Sequence, residues 1–117
     1  MSNHRLYELH ARICQTLSNP KRLEVIDCLR DGELPVIGLA EKTNISQANL
    51  SQHLAIMREK GIVLARREGL NVYYRLSNPK ITQACDLMRQ VLLEHLEAGA
   101  ELAGTSHRYT DCEGNLR

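Results

Sequence analysis

The chain has 117 residues, 43% of them hydrophobic, which suits one folded domain and excludes wholesale disorder. It contains no Trp and no Phe, so its core must be aliphatic, and a domain this small gains from burying a further face against a second subunit. The formal net charge is only +1, so nucleic-acid binding, if present, must rest on local rather than global charge.

No apolar stretch approaches the ~20 residues of a membrane span. Residues 1–9 are polar and lack the apolar segment of a signal peptide, so a cytoplasmic protein with no membrane partner is expected. The four cysteines, Cys14, Cys28, Cys85 and Cys112, are widely spaced with no Cys-x-x-Cys pair. In a reducing compartment they are expected as free thiols or ligands rather than structural bridges.

Leu6, Leu9, Ile13 and Leu17 recur at helical spacing, which predicts a first helix over residues 4–17. Asn19 can cap a second helix and Pro20 fits its first turn. That helix should turn Leu23, Ile26 and Leu29 inward and close at Asp31-Gly32, with Gly32 in a left-handed cap. A short third helix over 36–42 has Ile37, Leu39 and Ala40 as its apolar part, and Thr43-Asn44-Ile45 makes a tight turn. Ser46 is a suitable cap for a fourth helix reaching about Lys60, with Leu50, Leu54 and Met57 as its buried stripe and Gly61 as its stop. The period then changes. Residues 63–68 and 71–76 read as two strands of a hairpin around Gly69-Leu70. Ser77-Asn78-Pro79-Lys80 repeats the earlier Ser-Asn-Pro-Lys cap and opens a long last helix, with Ile81, Ala84, Cys85, Met88, Val91, Leu92 and His95 on one broad face. The expected unit is a mainly α domain over 1–103, ordered α-α-α-α-β-β-α, followed by a loose polar tail over 104–117.

Two features point toward DNA. The outer face of the fourth helix offers Ser46, Gln47, Asn49, Ser51, Gln52 and His53, which are short, amide or imidazole side chains rather than an ordinary Lys/Glu surface. Amides and hydroxyls can read base edges in the major groove and donate to phosphates. The N-terminal end of a recognition helix is the part that enters the groove. The hairpin adds Arg66, Arg67 and Asn71 beside the Gly69 tip, within a segment from Arg58 to Arg75 where five cations face only Glu59 and Glu68. Such a basic wing can follow the backbone or reach the minor groove.

The sequence resembles the ArsR/SmtB family of winged helix-turn-helix repressors. The resemblance is carried by Leu17-Ser18-Asn19-Pro20-Lys21-Arg22-Leu23, by 44–54, by Met57 through Val63 and by 66–76, and it spans about 13–96. It implies a homodimer formed by the first and last helices, a palindromic operator, and an effector that weakens operator binding. The dimer face is then expected to include Leu6, Ile13, Ile81, Cys85, Met88 and Leu92.

The metal sites that recur in that family are missing. Where it carries a Cys-x-Cys pair after Glu-Leu, Glu33-Leu34 is followed here by Pro35-Val36-Ile37. The positions of the last-helix site hold Asn78, Lys80, Val91 and Glu94, of which only Glu94 could ligate. The paired cysteines of sulfide- and oxidant-sensing relatives fall at Asp27 and Leu93, with Cys28 one residue away. The candidate sensor group is Cys14 and Cys85 on the helices of the dimer face, with His10 one turn before Cys14 and Cys112 in the tail. Soft thiolates suit arsenite, copper(I) or a reactive sulfur species, so a thiophilic metal or metalloid is the possible cofactor. The alternative is that these cysteines are small packing residues. Two other functions compete with an effector-released repressor: a protein-binding winged helix, and a related regulator without a metal or thiol effector. No Cys/His/Asp arrangement suggests an enzyme.

Overall fold

A computed structural model describes the backbone of residues 2–103 and the side chains of 2–99. The tail expected over 104–117, and Cys112 with it, lies outside the described residues. The helices are α1 (Asn3–Leu17), α2 (Pro20–Cys28), α3 (Val36–Thr43), α4 (Gln47–Glu59) and α5 (Lys80–Ala103). The strands are β1 (Leu34–Pro35), β2 (Val63–Glu68) and β3 (Asn71–Leu76).

The repeated Ser-Asn-Pro-Lys segment works the same way twice. Asn19 Oδ1 accepts from the backbone N–H groups of Lys21 and Arg22, and Asn78 Oδ1 accepts from that of Lys80. Each amide satisfies helix-start donors that otherwise lack partners. Two expectations for the helical part need correction. Helix α2 ends at Cys28 with Leu29 as its cap, so Gly32 lies beyond the helix, where its φ of 144° serves the turn into β1. Val25 is fully buried while Leu23 is only half-buried, and Ile37, expected on the apolar part of α3, is 56% exposed. Helix α3 is so short that only Leu39 is buried.

The core joins Val25, Ile26, Cys28 and Leu29 of the α2 region, Leu39, Ile45, Leu50, Leu54 and Met57 of α3 and α4, and Ile62 and Val63. Leu50, Leu54 and Met57 are fully buried, as their spacing requires. The hairpin has β3 in the centre of a three-stranded antiparallel sheet ordered β1-β3-β2. The first strand was not anticipated. It is two residues long, pairs Leu34 with Tyr74 and Pro35 with Tyr73, and sits at an edge, where Pro is tolerated.

Helix α5 is tied to α2 by an ion-pair cluster. Arg30 grips both carboxylate oxygens of Asp86, at 2.9 and 2.7 Å, and also bonds Asp27 Oδ1 at 2.7 Å. Arg89 lies 3.8 Å from Asp27 and 3.9 Å from Asp86. The two carboxylates hold the Arg30 guanidinium firmly protonated. Ile81 and Cys85 pack against the core, whereas Leu87, Met88, Val91, Leu92 and Leu93 stand out from it. Among the described residues no helix is long and apolar enough to cross a membrane.

Candidate nucleic-acid interface

The turn between α3 and α4 is built by side-chain chemistry. Asn44 adopts the left-handed conformation at φ 58°, which Asn tolerates better than most residues, and its N–H donates to Ala40 O at 2.9 Å. Thr43 Oγ1 donates to Leu39 O at 2.7 Å and accepts from the Ile45 N–H at 3.3 Å. Ile45 is buried and pins the turn to the core. Ser46 then caps α4, its Oγ accepting from the Asn49 N–H at 3.2 Å. Helix α4 is thereby fixed at its start by the cap and along its length by its buried stripe.

The remaining faces of α4 are open. Gln47, Asn49, Ser51 and Gln52 are all exposed, as are Ala48 and Ala55, which were not among the expected site residues. At 100° per residue, Ala48, Gln52 and Ala55 form the centre of the outward face, with Ser51 to one side of it and Gln47 further round on that side, at the start of the helix. The small alanines let the helix backbone approach a surface closely while the amides reach past them. His53 is the exception. It is half-buried, and its Nδ1 accepts from Arg22 Nε at 3.2 Å. Burial, and then the neighbouring charges of Arg22 and Lys21, hold the imidazole below its ordinary pKa. The ring is therefore a neutral acceptor committed to α2, with its Nδ1 unavailable to a base edge.

The wing has two cations in different states. Arg66 is paired with Glu33 just before β1 and with Glu68, the latter at 2.6 Å, and its guanidinium lies 4.8 Å over the Tyr73 ring. Arg66 holds the Glu33 carboxyl below the usual carboxylate range, with Arg75 adding to the effect. Arg67 is exposed and has no ion-pair partner among the described residues. Two-residue pairing of Glu68 with Asn71 leaves Gly69 and Leu70 as the tip. Gly69 has φ 60° while Leu70 does not enter the left-handed region, the pattern of a type II′ turn with Gly in its first central place. Asn71 is exposed beside it.

The sequence reading missed Lys21, Arg22 and Glu33. Their signal was present in Asn19-Pro20-Lys21-Arg22 and Glu33-Leu34, but no local pattern says that Arg22 reaches α4 or that Glu33 reaches the wing.

On the opposite side, a cleft of about 940 Å³ between α1 and α5 is lined by His10, Ile13, Cys14, Ile81, Cys85, Met88 and Leu92, among others. Cys14 is exposed and Cys85 half-buried, and burial pushes the Cys85 thiol up. Leu6, Ile13, Met88 and Leu92 are between 42% and 68% exposed in the single chain. Among the described residues no three His, Cys, Asp or Glu side chains come together closely enough to hold a metal ion.

Comparison with known proteins is decisive for the family. Residues 19–64, from the α2 cap to the start of the wing, match the model of the bacterial regulatory protein arsR family. The chain is also 34% identical over 114 residues to the regulator Rv0081 of Mycobacterium tuberculosis, the match covering 85% of this chain and 96% of that one. The chain belongs to the arsR family. The crystal structure of Rv0081 superposes with a TM-score of 0.74 at 31% identity, over 81% of this chain and 96% of the other. The solution structure of a fragment of Mb0332 from Mycobacterium bovis, described as a homodimeric winged helix-turn-helix DNA-binding domain, gives 0.69 at 29% identity over 93% and 97%. The biofilm growth-associated repressor of Xylella fastidiosa is 41% identical over 73 residues, covering 62% of this chain and 64% of that protein. Another curated relative is named a transcriptional activator. The chain spans 44% of the length of one further curated regulator that it matches. This arsR-family chain is thus a winged helix-turn-helix transcriptional regulator, a class without enzymatic activity.

Proposed function

We propose that this arsR-family protein binds a palindromic DNA operator as a homodimer, represses transcription in the cytoplasm, and is released by an effector acting on thiols at the dimer face. The observation that carries DNA binding is the outer face of α4. Gln47, Ser51 and Gln52 stand exposed around Ala48 and Ala55, above a fully buried stripe and next to a wing whose Arg67 has no ion-pair partner among the described residues. This combination suits base-edge reading by the helix and phosphate contact by the wing. Ser46 serves as a cap and Asn49 as a flanking polar group, Asn71 supports the wing tip, and Arg66 positions the wing.

Dimerisation is supported by the exposed apolar row of α1 and α5, which a second copy would cover, and by the homodimeric description of the Mb0332 fragment. Repression is supported by the Xylella relative's name. Sensing is supported by Cys14, Cys85 and His10 lining one cleft between the two helices of that face. An agent that reaches two thiols, such as arsenite, copper(I) or a reactive sulfur species, fits this cleft better than a resident metal site. Cys112 could add a third sulfur.

Selection of duplexes from a random pool, followed by gel-shift titration at several salt concentrations, tests the reading. A palindromic consensus, with log affinity falling linearly in log salt, is expected. Absence of any sequence preference above random duplex would refute it. Reporter transcription with the selected duplex placed at a promoter then separates repression from activation.

A further inference from the structure

Leu70 is 100% exposed, at the tip of a two-residue turn. The other exposed large apolar side chains lie mostly on α1 and α5, where a second subunit accounts for them, and none approaches complete exposure. Ile37 and Leu64 stand apart from those helices but keep part of their surface covered. The turn itself does not require a leucine, because its one special conformation is met by Gly69. An apolar side chain held wholly in water at a rigid hairpin tip contributes nothing to this fold.

Its surroundings suit one kind of surface. Gly69 adds no side chain, so the tip is narrow. Asn71 and Arg67 stand on either side of it, one able to hydrogen-bond a groove edge and the other to contact phosphate. Pairing of β1 with Tyr73 and Tyr74 braces the hairpin further back, and the Arg66 pairs with Glu33 and Glu68 lock its base. The last two residue pairs, Arg67 with Val72 and Glu68 with Asn71, therefore project beyond the third strand as a stiff prong. Proteins that enter the minor groove often carry an apolar side chain that slips between base steps and partly unstacks them.

We propose that Leu70 is a wedge that enters the minor groove at the wing and unstacks a base step, so that the wing selects flexible steps by deformability. The proposal rests on the DNA-binding reading above and adds a second source of specificity to it. Pyrimidine–purine steps such as TA and CA open most easily, whereas A-tracts resist. The selected duplexes should thus carry a pyrimidine–purine step at the wing position of each half-site, outside the bases read by α4.

The test uses the full chain and a duplex taken from the random-pool selection, with 2-aminopurine placed at that step. Wild-type protein is expected to raise 2-aminopurine fluorescence severalfold on binding. Leu70→Ala should abolish most of the rise and weaken binding about tenfold, while Leu70→Met restores both. Replacing the step by an A-tract should weaken the wild type but leave Leu70→Ala nearly unaffected. Because Leu70 touches nothing in the fold, all variants should melt like the parent. If Leu70→Ala binds as tightly as the parent with the same fluorescence change, the leucine is no wedge. If Leu70→Ala alters self-association while DNA binding is untouched, the tip is a protein contact and the proposal fails. If wild-type protein selects no duplex at all, the DNA-binding reading falls, and this one with it.

Discussion

Arg22 and His53, 31 positions apart, meet at 3.2 Å with the guanidinium Nε donating to the imidazole Nδ1. Arg22 also donates from Nη1 to Thr16 O at 3.3 Å, so one side chain joins the end of α1, the start of α2 and the middle of α4. This contact adds a polar tie to the buried stripe that fixes α4 on the domain. It is also a place where a proton can disturb α4, since a protonated ring would lose its acceptor and face two cations.

The first prediction follows from that geometry. The folded His53 is held below its ordinary pKa of 6.5, so the unfolded chain takes the proton first. Its contribution to stability is complete above pH 6.5 and is lost as pH falls through the depressed folded value. His53→Asn keeps an acceptor near the Nδ1 position and should remove this part of the acid slope in urea unfolding series. His53→Leu strands the Arg22 donor and should cost about 1–2 kcal/mol at neutral pH. An unchanged acid slope in His53→Asn would show that the imidazole does not titrate in this role.

Gln47→Ala should lose about 1–3 kcal/mol on the selected operator and much less on random duplex, because an exposed amide near the start of α4 is placed to read bases. Quantitative gel shifts on both duplexes measure the difference. Equal losses on the two would assign Gln47 to the phosphates instead.

The two wing arginines should behave differently although they are neighbours. Arg67→Ala should weaken specific and random binding about equally and flatten the salt slope by roughly one unit, as expected for one lost phosphate contact. Arg66 is already balanced by Glu33 and Glu68, so Arg66→Ala should change the slope far less. Salt titrations of the two variants side by side decide this, and the reverse order would mean that Arg66 leaves its carboxylates when DNA arrives.

Sedimentation at micromolar concentration should show a dimer. Met88 is 68% exposed in the single chain, so Met88→Asp should leave each subunit folded by circular dichroism and shift the species to monomer. Half-sites in the selected operator should lie about 10 bp apart or a multiple of that. A wild-type monomer that binds a palindrome tightly would contradict the proposed assembly.

Cys14→Ser and Cys85→Ser should blunt release of DNA by arsenite, copper(I) or polysulfide while leaving binding without effector nearly intact. The coupling at stake is typically about 1–3 kcal/mol. Cys28 is buried in the core, so Cys28→Ser should instead destabilise by about 1–2 kcal/mol with the response retained. Parent-like release of the Cys14/Cys85 double variant by every agent would make those cysteines packing residues.

Much of the fold was readable from local rules. The stripe Leu50, Leu54, Met57 repeats with the helix, the two Asn-Pro caps announce their helices, and the strand limits of the hairpin follow from the change of period around Gly69. The exposed amides of α4 were legible for the same reason, since they lie off the stripe, whereas His53, also off it, is half-buried by its contact with Arg22. The failures share a cause. Strand β1 exists only because Tyr73 and Tyr74 come to lie beside Leu34 and Pro35. The roles of Arg22, Arg66 and Arg30 depend on partners 31, 33 and 56 positions away, which no local periodicity reports. Composition therefore counted Arg66 as a free cation on the wing, and only tertiary contact shows it neutralised.

The grip of Arg30 on Asp86 has a mechanical side. Asp86 lies in the second turn of a 24-residue helix, so about 25 Å of α5 runs on past the clamp. The helix is a lever with its fulcrum near one end. A tilt of about 5° at the clamp displaces the far end by roughly 2 Å, given that length. Whatever shifts Asp86 against Arg30 is thus magnified toward the end of the helix at Ala103, well past Leu92 and Leu93, and the reverse holds for a push applied there. A short ionic hinge can in this way convert a small event in the α1/α5 cleft into a larger displacement at the end of α5.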